Sequence, residues 1–261
     1  MIKLSSNTRF SHYISRGSIL SRKKLSEEIN QKVFQRMLQL YDNKNACGIG
    51  VIKNSYNAIL PERKDIQILP LPPKDYDEYG GGVRVEEGRK NILSGYSIEV
   101  PTNKKKKLNI LELSQFMHES THILDYLLNP KYIANYRQMC ERNVYDKEYF
   151  SLYDKYFYNT EDMKKNRKKD MLELVESETR KGLKKVLSDE KLVFLNFIKY
   201  SLEMENHAYK QDLLYARILQ KLGKPIDEES LNDYNKYMAF PEKIDIVNKL
   251  IKEEIEKIRQ K

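Results

Sequence analysis

Tryptophan is absent from this 261-residue chain, and cysteine occurs only twice, at Cys47 and Cys140. The two cysteines are far apart and in no metal-ligand pattern, so neither a disulfide framework nor a cysteine-type zinc site is indicated. A reducing compartment suits the chain without being demanded. Long apolar runs are also missing. The longest, Leu192-Val-Phe-Leu195, breaks at Asn196, far short of the roughly 20 residues of a membrane span. The N-terminus is polar and basic and has no apolar core of signal-peptide length. A soluble protein with no membrane partner is therefore expected, cytoplasmic or released without a conventional signal peptide. No Gly-Lys-Ser/Thr follows Gly80-Gly-Gly82 and no helix opens on it, which excludes a phosphate loop. Histidine is scarce: His12, His118, His122 and His207 are the four.

What is present is 40% hydrophobic residues, enough for a well-buried core in one large domain or two small ones. Lys and Arg exceed Asp and Glu by nine. Lys, Asn, Ile and Tyr are heavily used, a pattern that reads as nucleotide-composition bias as much as selection, so the charge excess is weak ground for a nucleic-acid partner. The run Lys104–Lys107 is better read as a solvated loop than as a nucleic-acid patch, because no aromatic residues interleave with it. Nucleic acid is not an expected partner.

Residues 1–24 read as a loosely attached N-terminal arm. From Leu25 to Tyr41 the apolar spacing of Ile29, Val33, Phe34, Met37, Leu38 and Tyr41 predicts a helix capped by Ser26. Between about 47 and 100 the chain turns to short apolar runs: Gly48–Ile52, Asp65–Leu69, Gly82–Val85 and Tyr96–Val100. These read as strands, with Pro70-Leu-Pro-Pro73 as loop punctuation. A strongly apolar helix is predicted over about 108–128. From 131 to 259 the chain reads as helical, in segments 131–141, 146–158, 162–187, 189–222, 228–238 and 241–258. The tyrosines at 145, 149, 153, 156 and 158 are expected to pack helices together. The fold class is thus α+β: a small mixed sheet of short strands, then a mostly helical C-terminal half, forming one domain over 25–261.

The chemistry concentrates in His118-Glu119-Ser120-Thr121-His122. On a helix, residues four apart lie one turn above each other on one face. Two imidazoles at that spacing can reach one metal ion. Glu119 lies about 100° further round the helix, beside the ion, where it can take a proton from an activated water. Apolar residues surround this stretch on most sides, from Leu108 to Leu128. Its one polar stripe is Ser114/Gln115, His118, His122 and Asp125. Buried imidazoles need partners, and a metal ion supplies one.

A catalytic zinc site commonly has three protein ligands and one open position. Asp125 is too close in sequence to His122 to chelate well; it is either an acceptor for an imidazole N–H or an exposed helix residue. The other polar cluster within an apolar helix spans Ser201 to Asp212. Its Glu203 and Glu205 point about 200° apart on a helix, so at most one faces the site. Glu205 shares its face with Ile198, Leu202, Ala208 and Tyr209 and is preferred. Glu203, beside Lys199, Asn206 and Lys210, looks more solvated. His207 reads as a structural histidine.

His118-Glu-Ser-Thr-His122 followed by Glu205-Asn-His-Ala208 resembles the gluzincin branch of the zincin metallopeptidases. The details are most similar to the catalytic domain of anthrax lethal factor and its relatives: Asp125 after the first motif, and Glu203-x-Glu205-x-x-Ala208 as the second. No metzincin-type Gly or Met-turn pattern follows His122. The resemblance implies a zincin-like fold, zinc as cofactor held by His118, His122 and Glu205, and Glu119 as the general base in hydrolysis of a protein or peptide substrate. It also implies a tyrosine donor to the carbonyl oxygen, for which Tyr200, Tyr209 and Tyr96 are candidates. The strand Tyr96–Val100 would be the edge on which an extended peptide pairs. Two other classes compete: a zinc-stabilised protein without catalysis, and a basic nucleic-acid or assembly-binding protein in which the motif is accidental.

Overall fold

The helix carrying the His-Glu-x-x-His motif begins where its own side chains dictate. The Glu112 N–H donates to Asn109 Oδ1 at 3.0 Å, and the Asn109 N–H donates to Glu112 Oε2 at 2.6 Å. This reciprocal capping box satisfies two amides that the first turn leaves open. The helix runs Ile110–Leu128 and ends at Asn129, the residue before Pro130, where α backbone is disfavoured. Leu108, expected inside this helix, instead pairs with Cys47 in a short ladder.

The structure is a computed structural model that describes residues 19–41, 47–60, 66–71, 82–87, 93–102, 105–141, 153, 156, 168–223 and 238–260. In chain order its elements are α1 (Ile19–Gln39), β1 (Cys47–Gly48), α2 (Ile49–Ile59), β2 (Ile66–Leu71), β3 (Gly82–Glu87), β4 (Leu93–Pro101), β5 (Lys107–Leu108), α3 (Ile110–Leu128), α4 (Pro130–Glu141), α5 (Lys168–Leu183), α6 (Lys191–Lys221) and α7 (Phe240–Arg259). Helices dominate and two small sheets accompany them, an α+β arrangement as expected. Among the described residues, no helix is long and apolar enough to cross a membrane. The chain divides into two compact units. The first holds Met1–Asn129 with Leu214–Ile218, the second Pro130–Leu213 with Leu219–Lys261.

In the first unit, α1 buries Ile29, Val33, Phe34 and Met37, as the spacing predicts. It starts at Ile19 rather than Leu25, so Ser26 is a buried interior residue and not the cap. The stretch Leu20 to Leu25 is rich in strong helix formers, which carry the helix past the serine. The predicted strand at Gly48–Ile52 is corrected: after the two residues of β1 the chain is helical. Ile49, Ile52 and Tyr56 are buried at helical spacing, a period the short apolar run alone could not reveal. Two sheets form: β1 pairs with β5, and β2, β4 and β3 lie side by side in that order. Pro70 and Leu71, expected in a loop, extend β2. Among the described strands β2 lies at an edge, where a proline costs least.

The strand β4 is not an edge. It runs parallel to β2 and antiparallel to β3, and Tyr96 to Glu99 are paired on both sides. Its backbone groups there are already committed to the ladders, so the expectation that an extended peptide adds to Tyr96–Val100 is overturned.

The second unit is built on α6. Phe194, Leu195, Ile198 and Leu202 pack with Phe240, Val247 and Leu250 of α7 and with Tyr156. Tyr153 packs against Phe197, and the Tyr156 hydroxyl bonds Thr179 Oγ1 at 2.8 Å. These two tyrosines hold helices together as expected. The rest of that tyrosine cluster, and the helix expected at 228–238 apart from Met238, lie outside the described residues. Arg180 of α5 reaches Glu253 of α7 through two bonds of 2.5 and 2.7 Å and also binds Glu176.

Lys243 is buried in this unit and donates to the Tyr156 carbonyl. Burial penalises its charge and lowers its pKa from 10.5 to about 8. Below about pH 8 both folded and unfolded chains carry the proton, and the burial cost is fully present. As pH rises through 8 the folded chain releases the proton that the unfolded chain still binds, so stability rises with pH. The expected gain between pH 8 and 9.5 is about 2 kcal/mol. Thermal melts of wild type and Lys243→Met should diverge by that amount over this window; parallel curves would refute it.

Candidate metal centre

The α3 helix presents His118 and His122 on one face. Their Nε2 atoms lie 3.2 Å apart, with ring centroids 4.8 Å apart and ring planes at 84°. Two nitrogens each about 2.05 Å from one tetrahedral ion must be about 3.3 Å apart, so the spacing matches a shared ion. His122 is buried and His118 half-buried. Ser120 and Thr121, between them in sequence, are fully buried, so the helix has one solvent-leaning side and one core side.

Glu205 lies on α6, on a face with the buried Leu202 and Ala208. Its carboxylate and the two imidazoles form a group whose ligand atoms all lie within 4.8 Å of one another. Two neutral ring nitrogens and one carboxylate oxygen are a donor set suited to a divalent transition ion. This His-His-Glu group could hold a metal ion. Glu203 is engaged elsewhere: it accepts from the Tyr132 hydroxyl at 3.3 Å and lies 3.9 Å from the Lys199 ammonium. The two glutamates thus split as their helical spacing predicts.

Asp125 is buried, which overturns the reading of it as an exposed helix residue. Glu119 is half-buried. Of the tyrosines considered as donors, Tyr200 packs its ring on Tyr132 at 5.0 Å and has its pKa raised, by burial first and by Glu203 second. It therefore keeps its proton and can donate. Tyr209 stacks on Phe240 at 5.7 Å, so its ring serves the core of the second unit. Tyr96 lies in the strand β4, and its side chain is outside the described residues. His207 is buried and is not in the His-His-Glu group, in line with a structural role. Cys47 is buried, donates to the Met37 carbonyl at 3.4 Å and has its pKa pushed up to about 11 by burial. A thiol held protonated is a poor metal ligand. Lys105 and Lys106 are exposed, as expected of a solvated loop, whereas Lys107, also exposed, opens β5, and Lys104 lies outside the described residues.

Sequence reasoning missed the support behind the motif. Asn30 of α1 donates from Nδ2 to Thr121 Oγ1 at 2.8 Å and accepts at Oδ1 from the Ser120 hydroxyl at 2.7 Å. The Ser120 Oγ is also 3.3 Å from the Tyr56 hydroxyl of α2. A signal existed: Asn30 falls within the apolar stripe of α1, beside Ile29 and one turn before Val33 and Phe34, where a polar residue must find a buried partner.

Compared with known proteins, the chain matches no family model, no curated protein and no solved structure.

Proposed function

We propose that this chain is a zinc-dependent endopeptidase of the gluzincin kind, similar in its motifs to the catalytic domain of anthrax lethal factor and its relatives. The observation that supports it most is the convergence of His118, His122 and Glu205 within 4.8 Å, with Glu119 next to the first ligand in the same helix. A scaffold that used metal only for stability would need the three ligands and not Glu119.

His118, His122 and Glu205 would hold the ion, the histidines through the Nε2 atoms that approach each other. When bound, zinc supplies Lewis acidity and a water of lowered pKa, near 7. Glu119 accepts the proton of the attacking water at its carboxylate and delivers it to the amine leaving group. Asp125, one turn beyond His122 in the same helix, is the acceptor proposed for an imidazole N–H, which would hold a ligand ring in its orientation. A tyrosine hydroxyl, with Tyr200 and Tyr209 as the candidates, would donate to the carbonyl oxygen as charge gathers there.

Elemental mass spectrometry of the purified chain, paired with cleavage of a mixed-sequence peptide pool, tests the reading. One zinc per chain, with cleavage that stops on chelation and returns with zinc, is the expected result. Zinc without cleavage, and unfolding on chelation, would make the site structural. No bound metal, with steeply salt-dependent nucleic-acid binding, would overturn the proposal.

A further inference from the structure

Two of the three residues between the motif histidines, Ser120 and Thr121, are held by one amide. Asn30, Ser120 and Thr121 are fully buried, and each end of the Asn30 amide meets one of the two hydroxyls. The Thr121 hydroxyl spends its proton on the Met117 carbonyl at 2.9 Å, so it needs a donor, and Asn30 Nδ2 provides it at 2.8 Å. The Ser120 hydroxyl needs an acceptor, and Asn30 Oδ1 provides it at 2.7 Å. One side chain of α1 thereby grips two successive residues of α3. On a helix these lie about 100° apart, with Ser120 roughly opposite the mean direction of His118 and His122.

We propose that Asn30 is a positioning residue for the metal-ligating pair: its paired bonds to Ser120 and Thr121 set the rotation of α3 about its axis. The proposal rests on the reading of His118 and His122 as ligands. Side-chain tips stand about 5–6 Å from a helix axis, so a rotation of about 15° carries an imidazole nitrogen about 1.5 Å sideways. Metal–ligand distances tolerate only about 0.2 Å. Apolar packing is non-directional and resists such a rotation weakly, whereas two hydrogen bonds to adjacent residues resist it in both senses. Stability alone does not account for the network, because burying three polar groups carries a desolvation cost that matched apolar residues would avoid.

That difference supplies the test. The variant Asn30→Leu/Ser120→Ala/Thr121→Val replaces all three partners at once, so within this network only the Tyr56 hydroxyl loses a contact, the long one of 3.3 Å to Ser120. Its thermal midpoint without metal is expected to stay close to wild type. Its zinc affinity, measured by competition with a chelating dye, is expected to fall about tenfold, and the visible bands of the Co2+-loaded chain should shift as ligand geometry loosens. Thr179→Val, which breaks the Tyr156–Thr179 bond in the second unit, is the control for general destabilisation and should leave zinc affinity unchanged. If the triple variant does not fold, Ser120→Ala alone is read in the same way, with an expected loss of about two- to threefold in zinc affinity. Wild-type zinc binding with equal affinity in the folded variant would overturn the positioning role and leave the ligands standing. A wild type that binds no zinc would overturn the ligand reading, and this inference with it.

Discussion

Glu119→Gln should lower kcat for peptide hydrolysis by about 10²- to 10⁴-fold, the usual contribution of a general base, while the chain keeps one zinc. The amide has nearly the shape of the carboxylate but cannot take a proton. Glu119 follows His118 in α3 and so points about 100° away from it, off the ligand face. Removing its charge therefore leaves the His-His-Glu group intact. Because the proton moves only as the reaction proceeds, KM should change little, which marks an interaction made in the transition state and not in the substrate complex. Steady-state kinetics beside elemental analysis of the same samples decide it. Loss of activity together with loss of zinc would make Glu119 part of the metal's binding and not its base. Activity within threefold of wild type would remove it from the mechanism.

The second large effect separates two glutamates only two residues apart. Glu205→Ala should weaken zinc binding by at least about 100-fold, more than the loss of a supporting hydrogen bond would. Glu203→Ala should leave zinc affinity within about twofold. Glu203 is tied to Tyr132 at 3.3 Å and to Lys199 at 3.9 Å, long contacts on a half-exposed carboxylate whose loss costs well under about 1 kcal/mol. The two side chains point to opposite sides of α6, so one substitution cannot stand in for the other. Dye-competition titrations of both variants with zinc give the answer directly. Equal affinity in wild type and Glu205→Ala would move the third ligand away from Glu205.

Much of the first unit was legible in the chain because it is written in short-range patterns. The α3 stripe, the strands near 66–71, 82–87 and 93–101, and the pairing of two imidazoles four residues apart follow from helix and strand periods. The errors came where a local pattern had two solutions. Gly48–Ile52 is too short for its period to choose between strand and helix, and the buried Tyr56 beyond it decided for helix. Ser26 has the chemistry of a cap, yet the helix formers before it continued α1 to Ile19. The capping box at Asn109 and Glu112 was readable as Asn-x-x-Glu and would have placed the start of α3 at Ile110.

By itself, then, the sequence determined that a buried helix carries two histidines and a glutamate in register, since that depends on nothing further than four residues away. It also favoured Glu205 over Glu203 as the third ligand, since the two face apart on a helix. Tertiary structure alone decided that Glu205 joins the histidines, that Asp125 is buried, that β4 has neighbours on both sides, and that Asn30 holds Ser120 and Thr121. These arrangements join residues from about a dozen apart, as between β3 and β4, to about 90 apart, as between Asn30 and Ser120, and side-chain periodicity says which face a residue is on but not what packs against that face.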